Sequence, residues 1–295
     1  MAGRPSPLAT LGAMPLAMLT STAHTTRAIA EGDTAIRQPL ATSRRVGFVQ
    51  LHGGSGLSTT AAAVASVLAS RRSGRVLGVD AASGPLGFGW HADTSDPAAP
   101  NAPTAPSERR LRARDGADAV AGLPRAASGL FTLRVGDAGA PASTASWAAE
   151  VSPIARFFDL VCTDWGVRPW QSDLAEIAGS SHVVCLIARA ERRPAEEAVA
   201  MIAALQGQES GPRAVLALVD VANGRRRDAG RVLETVAGHA GVPVLGIPFD
   251  TARVAGRPAR SHSRLAAARL AGAIVSCAVA QPVPASATSP MEVPA

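Results

Sequence analysis

The segment His52-Gly53-Gly54-Ser55-Gly56-Leu57-Ser58-Thr59 concentrates residue types that can bind an oxyanion. It follows an apolar run, Val46–Leu51, and opens a stretch of small helix-forming residues, Thr59–Arg71. Glycines let successive backbone N–H groups turn inward, and the start of a helix adds partial positive charge. A strand-to-helix turn of this composition is shaped for phosphate. Two acids close apolar runs further on: Asp80 ends Val76–Asp80, and Asp164 ends Phe158–Asp164. Carboxylates at the ends of buried strands either ligate a divalent cation or cap the loops that begin there. The residue types alone do not choose between these roles.

The loop contains no lysine, and neither does the rest of the chain. All 29 residues counted as Lys or Arg are arginine, and tyrosine is absent too. Such a bias fits a G+C-rich coding sequence. Whatever its origin, no lysine is available to hold a phosphate or to form a Schiff base. The net charge of +6 and pI near 10.9 permit attraction to nucleic acid or anionic lipid. Arg225, Arg226 and Arg227, with Arg231, Arg253, Arg257, Arg260 and Arg264, form the densest basic zone. It suits either a solvated face or weak, non-specific contact with a DNA backbone. Only 3% of residues are aromatic and none is interleaved with these arginines, which argues against base stacking. Cys162, Cys185 and Cys277 lack metal-site spacing and read as reduced, buried, small apolar residues. His182, His239 and His262 have no acid or cysteine at metal spacing. Trp90, Trp165 and Trp170 flank the strand-end acids and are expected to be buried under loops.

The elements that must position these groups follow from periodicity. Runs at Val46–Leu51, Val76–Asp80, Gly129–Val135, Phe158–Asp164, His182–Ala188, Ala214–Val219 and Pro243–Ile247 read as strands buried on both faces. Helices are expected at Thr59–Arg71, Ala117–Leu123, Thr144–Phe157, Ser172–Ala178, Pro194–Leu205, Asp228–Ala240 and Arg264–Ala278. This alternation predicts an α/β fold, a mostly parallel central sheet covered by helices on both faces. Right-handed crossovers then put a ligand outside the carboxyl ends of the strands. The expected organisation is a flexible extension over 1–44, one domain over 45–279 and a disordered tail over 280–295. Within the domain, 91–115 reads as a mobile Pro/Ala-rich loop. No apolar run reaches the roughly 18 residues of a membrane span, and Arg4 with Leu8–Leu19 lacks an A-x-A cleavage site. A cytoplasmic location is expected.

Four segments, in order and spacing, resemble the MinD/ParA-like P-loop ATPases, whose deviant loop reads K-G-G-x-G-K-[TS]-T. His52 stands at the signature-lysine position and Leu57 at the Walker-lysine position, while Ser58 matches the hydroxyl that binds Mg²⁺. Arg75–Ala82 is similar to the family's R-V-L-x-V-D-x-D strand, with Asp80 at the first acid and Ala82 in place of the second. Phe158–Asp164 is similar to Y-D-x-V-x-x-D, and Gly246–Asp250 to the I-P-x-D segment that borders adenine. Asp220 occupies a place where the family often has asparagine. The resemblance covers about residues 46 to 278 and implies a three-layer P-loop NTPase, Rossmann-like fold.

It also implies ATP or ADP with Mg²⁺ as ligands. Gly53, Gly54, Ser55, Gly56, Leu57, Ser58, Thr59, Pro248 and Asp250 would contact nucleotide, and Ser58, Asp80 and Asp164 would form the Mg²⁺ site. The departures change what such a site can do. A hydrogen bond to a charged group contributes about 1.5–3 kcal/mol, so losing two lysines weakens binding by tens to thousands of fold, roughly. Hydrolysis suffers more, because those charges stabilise the transition state above all. Leu57 is expected to point toward the phosphates. The resulting expectation is a pseudo-ATPase or nucleotide sensor, a regulatory or scaffolding partner of another protein in positioning, partition or specialised secretion. The alternatives are an active ATPase with a non-lysine P-loop, and a non-specific DNA-binding partition factor. Family members form homodimers across nucleotide through the signature lysine, where His52 stands here. The tail Gln281–Ala295 lacks the basic amphipathic character of a membrane-binding helix.

Overall fold

The computed structural model describes residues 29–280 except 85, 96–101, 138, 170–172, 207–210, 223–225 and 255–256, with backbone alone at 226 and 227. Seven strands form one sheet: β1 (Arg44–Gln50), β2 (Val76–Asp80), β3 (Phe131–Arg134), β4 (Leu160–Val167), β5 (Val183–Arg189), β6 (Arg213–Val219) and β7 (Val244–Ile247). Their order is β3-β2-β4-β1-β5-β6-β7, and every pairing is parallel. Each coincides with an apolar run read from the sequence. The runs are continuous because both sheet faces are covered. β1 lies between β4 and β5, so the loop leaving its carboxyl end opens at the centre of the sheet's carboxyl edge.

Helices occupy residues 29–36 (α1), Leu57–Arg71 (α2), Phe88–His91 (α3), Glu108–Leu111 (α4), Gly116–Ala119 (α5), Thr144–Ala155 (α6), Leu174–Gly179 (α7), Arg192–Gln206 (α8), Arg226–Ala237 (α9), Thr251–Val254 (α10) and Ser261–Ala280 (α11). α6, α7, α8 and α9 cover one face of the sheet, over Val79, Val161, Leu186 and Leu216. α1, α2, α3 and α11 cover the other, over Phe48, Leu160, Cys185 and Val215. Small buried side chains, Ala61, Ala62 and Ala65 on α2 and Ala268 and Ala271 on α11, let those two helices approach closely. Strand residues alternate strictly between the faces. Asp80, Asp164 and Arg134 fall on the α2 side by the same parity.

Three expectations need correction. The extension over 1–44 is not structureless along its whole length. Residues 29–36 form α1, whose Ile36 is fully buried and whose Gly32 and Ala35 pack against Gly272 of α11. Burying Ile36 in the apolar layer with Phe48 and Leu68 offsets the ordering cost of this short helix. The segment 91–115 is structured where it is described. Thr104 exchanges hydrogen bonds with Arg134 along the β3 edge, and α4 buries the Arg110 guanidinium on the Ala105 and Ala121 carbonyls. Covering a sheet edge satisfies its free backbone groups, a reason invisible in composition. Trp165 is buried as expected, but Trp90 is 42% exposed; Trp170 lies outside the described residues.

Cys162 and Cys185 are buried and Cys277 half-buried, all with free thiols. Among the described residues α11 alone is long and apolar enough to cross a membrane. It packs against α2, β5, β6 and β7, with Leu270, Ile274 and Val275 fully buried. Residues 1–28 and the expected tail from 281 onward lie outside the described residues.

Candidate phosphate-binding site

The loop between β1 and α2 is built on two glycines in the left-handed region, Gly54 at φ 73° and Gly56 at φ 77°. L side chains are strained there, which is why glycine stands at both positions. Ser55 closes the turn by donating its hydroxyl to the His52 carbonyl at 2.9 Å. Gly56 precedes α2 at its cap position, so the amino end carries no capping side chain, and there is no acid in the first turn. The first-turn amides and the helix dipole are thus left facing outward for an anion.

Leu57 does not point toward the phosphate position. It is 1% exposed and belongs to the apolar layer with Phe48 and Ile187. The left-handed turn at Gly56 directs this first helical residue into the core, where burial of a leucine is favourable. His52 also turns away from the loop. Its Nε2 lies 2.7 Å from Glu197 Oε2 on α8, and Glu197 accepts from Arg193 as well.

Asp80, Asp164 and Arg134 form a row across three adjacent strands. Asp80 is in register with Arg134 on β3 and with Asp164 on β4. Arg134 Nη1 donates to Asp80 Oδ2 at 2.7 Å and Nη2 to the Gly84 carbonyl at 3.1 Å. Burial raises the Asp80 carboxyl above the usual carboxylate range, against the pull of Arg134 and of the Gly89, Ala82 and Phe88 amides. Burial, reinforced by the charge of Asp80, pushes Asp164 up to about 7, against the Ser58 hydroxyl and the Gly166 amide. The structure thereby brings Ser58 of α2 against Asp164, two of the three residues expected to hold Mg²⁺. Asp164 Oδ2 and Asp80 Oδ1 are buried without a well-aligned hydrogen-bond partner. Those orphaned oxygens and the adjacent hydroxyl are hard donors that suit Mg²⁺. Ala82 is enclosed between Gly136 and Gly166, 2.9 Å from where a Cβ on Gly166 would stand.

Beside the loop lies a cavity of about 210 Å³ lined by Gly56, Thr59, Asp220, Pro248, Asp250 and Arg253, among others. Pro248 and Asp250 therefore border an open space next to the loop. The Asp250 carboxylate is nonetheless occupied, accepting the amides of Ala252 at 2.9 Å and Arg260 at 2.8 Å. Burial opposes its ionisation, but the Arg260 amide, the Ser263 hydroxyl and the neighbouring amides hold it at about 2. Arg253 donates to the Thr59 carbonyl at 3.2 Å, and His91 lies 3.3 Å from the Thr59 hydroxyl. Burial, with Arg253 beside it, lowers the His91 pKa. His182 is satisfied away from the site, its Nδ1 accepting from the Arg45 amide.

Sequence reasoning missed Arg134 and Arg189, and placed Arg253 in the basic zone without relating it to the loop. One signal was available: Arg134 and Arg189 close apolar strands just as Asp80 does, whereas β4 continues past Asp164 to Val167. Arg225 lies outside the described residues, and only the backbone of Arg226 and Arg227 is described, within α9.

A seven-stranded parallel sheet flanked by helices, with a glycine loop running from its central strand into a helix, defines the P-loop NTPase fold of the ParA/MinD type. No protein-family model and no curated protein sequence matches the chain. Solved structures do. The cell division ATPase MinD of Pyrococcus furiosus is similar at 19% identity over 79% of this chain and 99% of that one, with a TM-score of 0.56. A ParA family ATPase from Chlorobium tepidum matches at 17% identity over 78% and 98% of the two chains, TM-score 0.54. A chain of the MinC:MinD cell division complex of Aquifex aeolicus matches at 16% over 77% and 94%, TM-score 0.54. The likeness is one of fold.

Proposed function

We propose that the chain is a nucleotide-binding P-loop protein that holds ATP or ADP without appreciable turnover, a pseudo-ATPase or nucleotide sensor. The observation carrying this reading is the loop itself: left-handed Gly54 and Gly56 and an uncapped α2 start, with Leu57 buried where a phosphate-binding lysine would stand. Backbone amides from Gly53 to Thr59 bind the phosphates, and the cavity at Pro248 and Asp250 takes the base. Mg²⁺, held by Ser58 and Asp164 with Asp80 behind them, would neutralise phosphate charge. Ala82 offers no carboxylate to orient a water, so the step lost is hydrolysis. A sensor of this kind serves a protein partner, in positioning, partition or specialised secretion, and the MinC:MinD complex gives a precedent for partner binding on this fold.

Thermal stabilisation by ATP and ADP, with and without Mg²⁺, tests binding, and phosphate release tests turnover. Stabilisation without release supports the sensor. Steady phosphate release that disappears in Ser58→Ala and Asp164→Asn would establish the active ATPase instead, and absence of any stabilisation would remove nucleotide from the account.

A further inference from the structure

We infer that Arg189 is the phosphate-binding cation of this site, supplied by the end of β5 in place of the missing loop lysines. The inference rests on the nucleotide-binding reading above. Arg189 closes β5, the strand beside β1, and so emerges at the same sheet edge as the loop. Its Nη2 donates to the Gly53 carbonyl at 2.9 Å and would stand 3.0 Å from a Cβ placed on Gly54. The guanidinium thus lies directly on the two glycines that lead the loop.

Among the described arginines beside the loop, Arg189 is set apart by its missing counter-charge. The buried or half-buried Arg72, Arg110, Arg134 and Arg168 each face a carboxylate, on Asp159, Glu150, Asp80 and Asp173 respectively. Arg253, at the other end of the loop, feels Asp250 and Asp93. Among the described residues Arg189 has no carboxylate within ion-pair distance, and its Nε is buried without a hydrogen-bond partner. A guanidinium held only by one carbonyl retains donors for an incoming anion and gives up little on moving to it. The preferred ligand is a di- or triphosphate, whose oxygens meet the first-turn amides of α2 on one side and the guanidinium on the other. Glycine at 53 and 54 leaves the room for that approach.

The test uses the full chain and calorimetric titration with ADP, ATP and pyrophosphate, each with Mg²⁺ and with EDTA. Wild type binds, Arg189→Gln loses about 10- to 100-fold in affinity, and Arg189→Lys recovers most of it. Unliganded melting temperature stays the same in both variants, since only one exposed hydrogen bond is removed. Equal affinity of wild type and Arg189→Gln overturns the role of Arg189 and leaves the nucleotide reading standing. Wild type that binds none of the three ligands overturns both. Should Arg189→Gln fail to fold, phenylglyoxal labelling of wild type decides the matter. Protection of the Arg189 peptide by ADP supports the inference, and labelling that ADP leaves unchanged refutes it.

Discussion

Replacing Arg134 with leucine isolates a carboxylate in the interior, and its consequence can be worked out from the geometry. The Arg134 and Asp80 side chains are 9% and 3% exposed, and their contact is a 2.7 Å hydrogen-bonded ion pair. Without the guanidinium, Asp80 faces Asp164 in register on the next strand with no cation beside it. Removing one member of a buried pair costs about 3–5 kcal/mol, a large part of the 5–15 kcal/mol that holds a typical domain together. Protonation of Asp80 is the escape. Its folded-state pKa is already raised by burial, and loss of Arg134 raises it further. An acid whose pKa is higher folded than unfolded binds its proton preferentially in the folded state, so stability falls as pH rises. The deficit of Arg134→Leu therefore grows toward pH 8, by at most about 1.4 kcal/mol per pH unit. Neutralising the partner as well, in Asp80→Asn with Arg134→Leu, recovers at least about 2 kcal/mol, because no charge is left stranded. Urea unfolding of wild type, both single variants and the double variant at pH 6 and 8 measures each quantity, provided the slope with urea is unchanged. A loss below about 1 kcal/mol at pH 8, or a double variant no more stable than Arg134→Leu, would refute the reasoning.

Other consequences are simpler to check. In metal-free buffer, Asp164 holds a proton below about pH 7 when folded and none when unfolded at the same pH. Wild type should therefore lose about 1.4 kcal/mol more between pH 6 and 8 than Asp164→Asn does, measured by urea midpoints. Reinstating the loop lysine by Leu57→Lys puts an ammonium into an apolar layer; it should cost at least about 2 kcal/mol and leave phosphate release at background. Gly56→Ala places a Cβ at φ 77° and 3.3 Å from Val219, which should destabilise by about 1–2 kcal/mol and abolish stabilisation by ADP. His52→Ala removes a pair whose side chains are 58% and 33% exposed, and the melting temperature should stay within the scatter of wild-type measurements.

The order of the motifs along the chain, the seven strands and the phosphate-shaped loop were all legible in the amino-acid pattern. Continuous Val, Leu and Ala runs closed by glycine or an acid mean buried parallel strands with ligand-facing ends. That is a local property, written in neighbouring residues. So was the absence of lysine from the loop, since the whole chain contains none. The direction of Leu57 was not legible, because it depends on the left-handed turn at Gly56 and on an apolar layer assembled from β1, β5 and α11. Nor was the N-terminal helix over 29–36, which is ordered by the notch at Gly272, the core around Ile36 and the Arg71–Asp33 pair, or the segment around Thr104, which is ordered by the free edge of β3.

The charge balance of the site belongs to the same second class. Asp80 and Asp164 are separated by 84 positions, yet the sheet order sets them side by side and adds Arg134 to the row. Arg189 reaches the glycines across 136 positions because β5 is the neighbour of β1. Residue types and their spacing decided that a glycine loop joins a strand to a helix and that no lysine stands in it. Strand order alone decided which arginines and acids meet there, because electrostatic partners are chosen by distance in space and not along the chain.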